Sequence, residues 1–156
     1  MTGASVSEER RPIRVLFICV HNSARSIMAE ALLRDVGGDE FEALSAGTDA
    51  RVVNPLTLRV LEEAGVSTAG LSSKPVQPFV GEQFDYVITV CDPAREACPF
   101  LPGHHSTLHW SFDDPSEAEG TDEERARVFR RVFEEIRQQV GEFVVRRREP
   151  AAEGVG

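Results

Sequence analysis

The stretch Cys19-Val20-His21-Asn22-Ser23-Ala24-Arg25-Ser26 separates two segments whose apolar residues follow different periods. Residues 13–18 are rich in β-branched and aromatic side chains, which is typical of a buried strand. From Ser26 onward, apolar residues recur at helical spacing as far as Gly37-Gly38, which predicts an amphipathic helix with a glycine stop. The quoted stretch is therefore predicted to be the loop of a strand-loop-helix unit.

The chemistry of this loop favours a bound anion. Unpaired backbone N–H groups and the macrodipole at a helix N-terminus attract negative charge. The small side chains of Ser23 and Ala24 let the backbone approach a ligand, and Arg25 can hold two oxygens of a tetrahedral oxyanion. The same field favours the thiolate of Cys19, which is the nucleophilic form. The candidate oxyanion-binding residues are Val20, His21, Asn22, Ser23, Ala24, Arg25 and Ser26.

Two polar residues are suited to hold the loop in shape. Asn22 tolerates a tight, left-handed turn, and the Ser26 hydroxyl can donate to the Cys19 thiolate. A cysteine at a strand end is also commonly no more than a small buried apolar residue. The coincidence of strand, loop, arginine and helix favours Cys19 as a nucleophile.

Length, charge and cysteine content bound the class of protein. The chain has 156 residues, enough for one domain with a full core. Its net charge of −9 argues against nucleic acid or an anionic membrane as partner. No apolar run approaches the roughly 20 residues of a membrane span, and residues 1–11 lack the apolar stretch of a signal peptide. We therefore expect a cytoplasmic protein whose three cysteines serve redox or catalytic chemistry.

Strand and helix patterns alternate four times along the chain. We predict further strands over residues 41–46, 84–90 and 108–112, and helices beginning at Asn54-Pro55 and at the capping box Thr121–Glu124. This order predicts a single α/β domain over residues 12–145, a four-stranded parallel sheet with helices on both faces. Residues 1–11 are predicted to be a disordered lead and residues 146–156 a flexible tail. Ligands of such sheets bind beyond the carboxyl ends of the strands.

A second pair of cysteines follows the third predicted strand. Cys91 and Cys98 bracket a short segment, and Pro93 and Pro99 leave room for about two helical turns. In an intact helix the two residues would lie roughly 10 Å apart, whereas a disulfide needs Cα atoms within about 7 Å. A bridge therefore requires this segment to unwind, which a marginal helix permits. Two buried thiols are the alternative, but Cys19 on a neighbouring strand end favours a relay of three thiols.

The fourth predicted strand leads into Asp113-Asp114-Pro115. A carboxylic acid near a bound oxyanion can protonate the leaving oxygen. Of the two aspartates, Asp113 is the alternative that would only form a turn or a cap.

The motif Cys-x-x-Asn-x-x-Arg-Ser at residues 19–26, followed by Met28-Ala29-Glu30-Ala31, resembles the low-molecular-weight phosphotyrosine phosphatase superfamily, particularly its arsenate reductase branch. The resemblance runs from about residue 13 to about residue 144. It implies that Cys19 attacks arsenate and that Cys91 attacks the Cys19–arsenic adduct, which releases arsenite and forms a Cys19–Cys91 disulfide. Cys98 would then form the Cys91–Cys98 disulfide, which thioredoxin would reduce. The general acid of the family directly precedes proline, which corresponds to Asp114.

Other features separate this chain from one branch or the other. The phosphatases usually follow Asp-Pro with aromatic residues that hold a phosphotyrosine ring, but here Ser116-Glu117-Ala118 follow. A phosphatase acting through a Cys19 phosphocysteine with Arg25 and Asp114 is nevertheless the alternative function, and weak phosphatase activity is expected in either case. A redox sensor or oxyanion-responsive module without turnover is a third class.

The sequence predicts no cofactor and no metal site. His104, His105 and His109 lack a zinc-binding spacing. Some reductases of the resembling branch bind a monovalent cation through Asn, Glu, Ser and Asp residues. The first three match Asn22, Glu30 and Ser45, but no matching aspartate is evident and Lys74 lies in that region, so a bound potassium ion is not favoured.

Overall fold

In the computed structural model, which describes residues 11–92, 96, 101–103 and 105–148, the apolar segment before Cys19 forms strand β1, Ile13–Cys19. It lies inside a four-stranded parallel sheet of order β2-β1-β3-β4. The other strands are β2 (Phe41–Gly47), β3 (Tyr86–Thr89) and β4 (Ser106–His109). In the register, Cys19 lies opposite Gly47 and Ile18 lies opposite Thr89, so the loop after β1 opens between two neighbouring strand ends. The predicted parallel α/β architecture is confirmed.

Among the residues that the structure describes, three α-helices follow the strands: α1 (Arg25–Gly37), α2 (Pro55–Glu63) and α3 (Asp122–Arg148). Helix α2 begins as predicted, because the Asn54 side chain accepts a hydrogen bond from the Leu56 N–H. The predicted capping box of α3 is also present: the Thr121 N–H donates to Glu124 at 2.7 Å, and the Glu124 N–H donates to the Thr121 hydroxyl at 3.1 Å.

Alternate residues of β1 divide the core into two clusters. Val15, Phe17 and Cys19 face a large cluster to which all three α-helices contribute. Leu16 and Ile18 face a smaller cluster. Within the described part of the chain, that second face is covered by the segment around a 3₁₀ turn at Gln77–Phe79 and by Leu101, rather than by an α-helix.

Three element boundaries differ from the sequence prediction. Strand β3 is shorter than the predicted 84–90. Strand β4 lies earlier than the predicted 108–112, because Trp110 and Phe112 are buried in the following loop, where Trp110 packs against Phe17. The predicted tail begins too early, since α3 continues through Arg148 and the Arg147 guanidinium donates to the Tyr86 hydroxyl.

None of the helices placed in the described ranges combines the length and the apolarity needed to cross a membrane.

Candidate active site

The loop after β1 turns sharply at Asn22, which has a φ of 51°. The fully buried Asn22 side chain fixes this turn. Its amide nitrogen donates to the hydroxyls of Ser26 at 2.7 Å and Ser45 at 3.0 Å. Its amide oxygen accepts the Lys74 N–H at 2.8 Å. The left-handed turn that the sequence suggested is thus confirmed, and its stabilising contacts come from three separate segments.

The turn wraps around the Cys19 sulfur. Cys19 is a free cysteine and is 2% exposed at the carboxyl end of β1. Its Sγ accepts the Asn22 N–H at 3.1 Å and lies 2.8 Å from the Ser26 hydroxyl. These contacts fix the position of the sulfur within the turn. The sulfur is therefore held where a nucleophile would meet an oxyanion bound by the loop.

Neighbouring segments hold the rest of the loop. The Val20 carbonyl accepts the Asp49 N–H at 2.8 Å, and the Ser23 carbonyl accepts the Asn54 N–H at 3.0 Å. Ala24 precedes α1 and offers no side-chain acceptor for the first helical N–H groups. The N-terminus of α1 therefore points its unpaired donors toward the loop.

Arg25 is buried beside this loop and is held by a carboxylate that the sequence analysis missed. Both of its terminal nitrogens pair with the Glu96 carboxylate, Nη2 donating to Oε1 at 3.0 Å and Nη1 donating to Oε2. Nη1 also donates to the Phe112 carbonyl at 3.2 Å. Burial lowers the pKa of Arg25, but Glu96 and Asp114 raise it by more, so the guanidinium stays charged. The contact joins residues 71 positions apart, so no local sequence pattern predicts it.

Glu96 is ionised in this arrangement. Partial burial raises the pKa of the Glu96 carboxyl, but hydrogen bonds from Arg25 and from the Asp92 N–H outweigh that effect and leave the pKa below its usual value. The Asp92 N–H donates to Glu96 Oε2 at 2.7 Å. A negative group therefore occupies the guanidinium fork at neutral pH.

The two adjacent aspartates face different surroundings. Asp114 Oδ2 lies 3.5 Å from Arg25 Nη2, and its Oδ1 accepts hydrogen bonds from the backbone and side chain of Ser116. Asp113 points outward and pairs with Arg131 on α3 at 3.1 Å. The structure thus brings Cys19, Arg25 and Asp114 together and leaves Asp113 outside the group. A nucleophile, an oxyanion clamp and a carboxyl group can together support attack on a tetrahedral oxyanion.

Cys91 lies at the end of β3, beside the Cys19 loop. The preceding residue pairs with β1, since the Val90 N–H donates to the Ile18 carbonyl at 3.1 Å. Cys91 is fully buried and disulfide-bonded. Cys98 lies outside the described residues. The relay expected from the sequence therefore has two of its members, Cys19 and Cys91, on adjacent strand ends.

The region matched to a monovalent cation site contains a lysine ammonium instead. Glu30 is 1% exposed, accepts the Ser45 hydroxyl and pairs with Arg34. The Lys74 ammonium lies 3.8 Å from Glu30 Oε1. Burial lowers the pKa of Lys74, and Glu30 works against that change. Two fixed cations already face the buried carboxylate, so these residues do not fit an added potassium ion.

The histidines have other contacts. His109 Nδ1 lies 2.6 Å from the Thr89 hydroxyl, and His21 Nδ1 lies 3.1 Å from the Asp49 carbonyl. His104 lies outside the described residues. Among the residues that the structure places, no three His, Cys, Asp or Glu side chains are grouped to hold a metal ion.

Comparison with known proteins identifies one family. The family model for low molecular weight phosphotyrosine protein phosphatase matches residues 14–152. The arsenate reductase of Halalkalibacterium halodurans is 40% identical over 129 residues, covering 83% of this chain and 93% of that protein.

Solved structures agree with this grouping. The arsenate reductase of Archaeoglobus fulgidus superimposes with a TM-score of 0.70 at 32% identity, covering 83% of this chain and 98% of that one. A thioredoxin-dependent arsenate reductase of Corynebacterium glutamicum superimposes with a TM-score of 0.65 at 34% identity, covering 90% of this chain and 64% of that one.

Replacing Gly47 with alanine tests how tightly the loop is seated on β2. A Cβ at this position would lie 2.6 Å from the Val20 carbonyl oxygen and 3.0 Å from Asn22, so the loop backbone must shift. We expect Gly47→Ala to cost about 1–3 kcal/mol of stability by overpacking and to weaken phosphate binding. Thermal unfolding and calorimetric titration with phosphate measure both effects.

The matched control is Gly141→Ala on α3, where a Cβ meets nothing within 4 Å. It should leave phosphate binding unchanged and stabilise the helix by about 0.5–1 kcal/mol. Equal phosphate affinity in Gly47→Ala and the parent protein would contradict the close packing of loop and strand.

Proposed function

The chain belongs to the low-molecular-weight phosphotyrosine protein phosphatase family, and on that premise we propose that it is an arsenate reductase regenerated by thioredoxin. One observation carries the proposal: a free, hydrogen-bonded Cys19 stands beside Arg25, while Cys91 on the adjacent strand end is disulfide-bonded. A phosphatase needs only the first of these two sulfurs. A reductase needs a second sulfur that can alternate between thiol and disulfide.

In the first step the Cys19 thiolate attacks arsenate, whose oxygens the loop N–H groups and Arg25 hold. One oxygen leaves as water after it accepts a proton from Asp114, and a Cys19–arsenic(V) adduct remains. The 3.5 Å separation of Asp114 from Arg25 supports this role, because it keeps the carboxyl group beside the oxyanion clamp.

In the second step the reduced Cys91 attacks the Cys19 sulfur. The sulfur–arsenic electron pair goes to arsenic, which leaves as arsenite in the +3 state, and a Cys19–Cys91 disulfide forms. Cys98 then attacks Cys91, which frees Cys19 and forms the Cys91–Cys98 disulfide. Two thiols have supplied the two electrons, and the dithiol of thioredoxin restores them.

The relatives support the same assignment. Proteins named arsenate reductase match most of this chain, and one of the similar structures is described as thioredoxin-dependent. A phosphatase that uses Cys19, Arg25 and Asp114 is the second candidate, favoured by the family model itself. The residues after Asp114 form a 3₁₀ turn, Pro115–Glu117, without an aromatic side chain to hold a phosphotyrosine ring.

Cys98→Ser separates the two candidates. Without Cys98 the Cys19–Cys91 disulfide has no internal thiol to resolve it, so we expect one arsenite per protein and then a steady-state rate lower by on the order of a hundredfold. The measurement is arsenite release with thioredoxin and its reductase in excess. Hydrolysis of an aryl phosphate is the internal control, since it needs no third thiol and should be unchanged. Full multiple turnover by Cys98→Ser would contradict the relay.

The aspartate doublet gives a matched pair of variants. Asp114→Asn removes the proton donor and should lower kcat for aryl phosphate hydrolysis roughly 10²–10⁴-fold. Asp113→Asn removes only a surface ion pair and should leave kcat within about twofold, since exposed pairs contribute little. The loss of kcat in Asp114→Asn should be smaller for an aryl phosphate with a better leaving group, because such a group departs without protonation. A larger loss in Asp113→Asn would reverse the assignment.

A further inference from the structure

The Glu96 carboxylate makes the contacts that a bound oxyanion would make. Its two oxygens lie on the two terminal nitrogens of Arg25, and a backbone N–H, that of Asp92, donates to it as well. An internal anion, the carboxylate of a residue that follows Cys91 in the chain, therefore lies beside the Cys19 loop. The pairing is partly buried, with the Glu96 side chain 19% exposed and the Arg25 side chain 3% exposed.

An oxyanion cannot take the Nη1/Nη2 fork of Arg25 while this pair is intact. Nη1 already donates to both Glu96 and the Phe112 carbonyl, and Nη2 donates to Glu96 with Asp114 beside it. A second anion at the same fork would also be repelled by the Glu96 charge. Oxyanion binding at this fork therefore requires Glu96 to leave it.

We propose that Glu96 is an internal competitor of the oxyanion, which occupies Arg25 when Cys91 is disulfide-bonded and releases it when that disulfide is reduced. The structure holds both parts together, since the disulfide at Cys91 and the Glu96–Arg25 pair are present at once. This inference rests on the proposed function only in taking the Cys19 loop as the oxyanion site. Its effect is to keep phosphate and arsenate out of the Cys19 loop while Cys91 is disulfide-bonded and cannot take part in reduction.

Thermodynamic linkage gives the converse effect. If the reduced form binds an oxyanion more tightly than the disulfide form, the oxyanion favours reduction by the same factor. The reaction is ordinary thiol–disulfide exchange: dithiothreitol breaks the Cys91 disulfide, two protein thiols form, and the reagent becomes its cyclic disulfide. Inorganic phosphate should therefore raise the reduced fraction at a fixed ratio of dithiothreitol to its oxidised form.

The test is calorimetric titration of inorganic phosphate into the disulfide and reduced forms of the full chain. The forms are distinguished by titrating one and three free thiols respectively. The unaltered protein should bind phosphate at least roughly tenfold more weakly in the disulfide form, which is the scale of one hydrogen-bonded contact to a charged group. In Glu96→Gln the disulfide form should bind phosphate more tightly than it does in the unaltered protein. The ratio of phosphate affinities between the reduced and disulfide forms should then fall to about threefold or less.

The control variant is Glu62→Gln, which removes one exposed negative charge from α2 and should keep the tenfold difference. Equal phosphate affinity in the two forms of the unaltered protein would overturn the proposal, as would a Glu96→Gln protein that keeps the full difference. If Glu96→Gln does not fold, the reduced fraction of the unaltered protein is measured at a fixed ratio of dithiothreitol to its oxidised form. A reduced fraction that does not rise with phosphate would then overturn the proposal. None of these measurements uses arsenate. A failure of this proposal can therefore be distinguished from a failure of the chain to reduce arsenate.

Discussion

The site depends on the hydrogen bonds of one buried amide, that of Asn22. In its left-handed turn, Asn22 brings its own N–H to the Cys19 sulfur, while its side chain binds Ser26 on α1, Ser45 on β2 and the backbone of Lys74. The side chain joins one strand, a helix and the loop at Lys74, and the backbone N–H of the same residue reaches the end of β1. An apolar residue at position 22 would leave buried polar partners unsatisfied and release the turn, so the geometry of the nucleophile is a property of the whole sheet edge.

Charge is organised locally against an acidic background. The chain carries a net charge of −9, yet Arg25 is almost fully buried and is directed into the loop by the Phe112 carbonyl and by carboxylates. A buried guanidinium without an anion is costly, and Glu96 supplies that anion in the described structure. The same electrostatic requirement that suits Arg25 to the proposed oxyanion substrate also suits it to an internal carboxylate, and in the proposal the two compete for the Nη1/Nη2 fork.

The sequence predicted the parts of this site that are local. Cys19, Asn22 and Arg25 lie in one loop whose flanking periodicities are unambiguous, and the glycine and capping signals placed the helices correctly. Glu96 was missed because its partner is distant in sequence and because charged residues in loops are ordinarily solvated. The Asp113–Asp114 choice stayed open for the same reason, since only the tertiary positions of Arg25 and Arg131 separate the two carboxylates.

The central claim is that electrons pass to arsenic from this chain's own thiols, and a single turnover tests it most directly. The fully reduced protein is mixed with one equivalent of arsenate and no external reductant, and arsenite is quantified while disulfides are mapped by mass spectrometry after alkylation. The account predicts one arsenite per protein and a Cys91–Cys98 disulfide, with Cys19 again a free thiol. Three free thiols and no arsenite, in a protein that hydrolyses an aryl phosphate, would contradict it and identify a phosphatase.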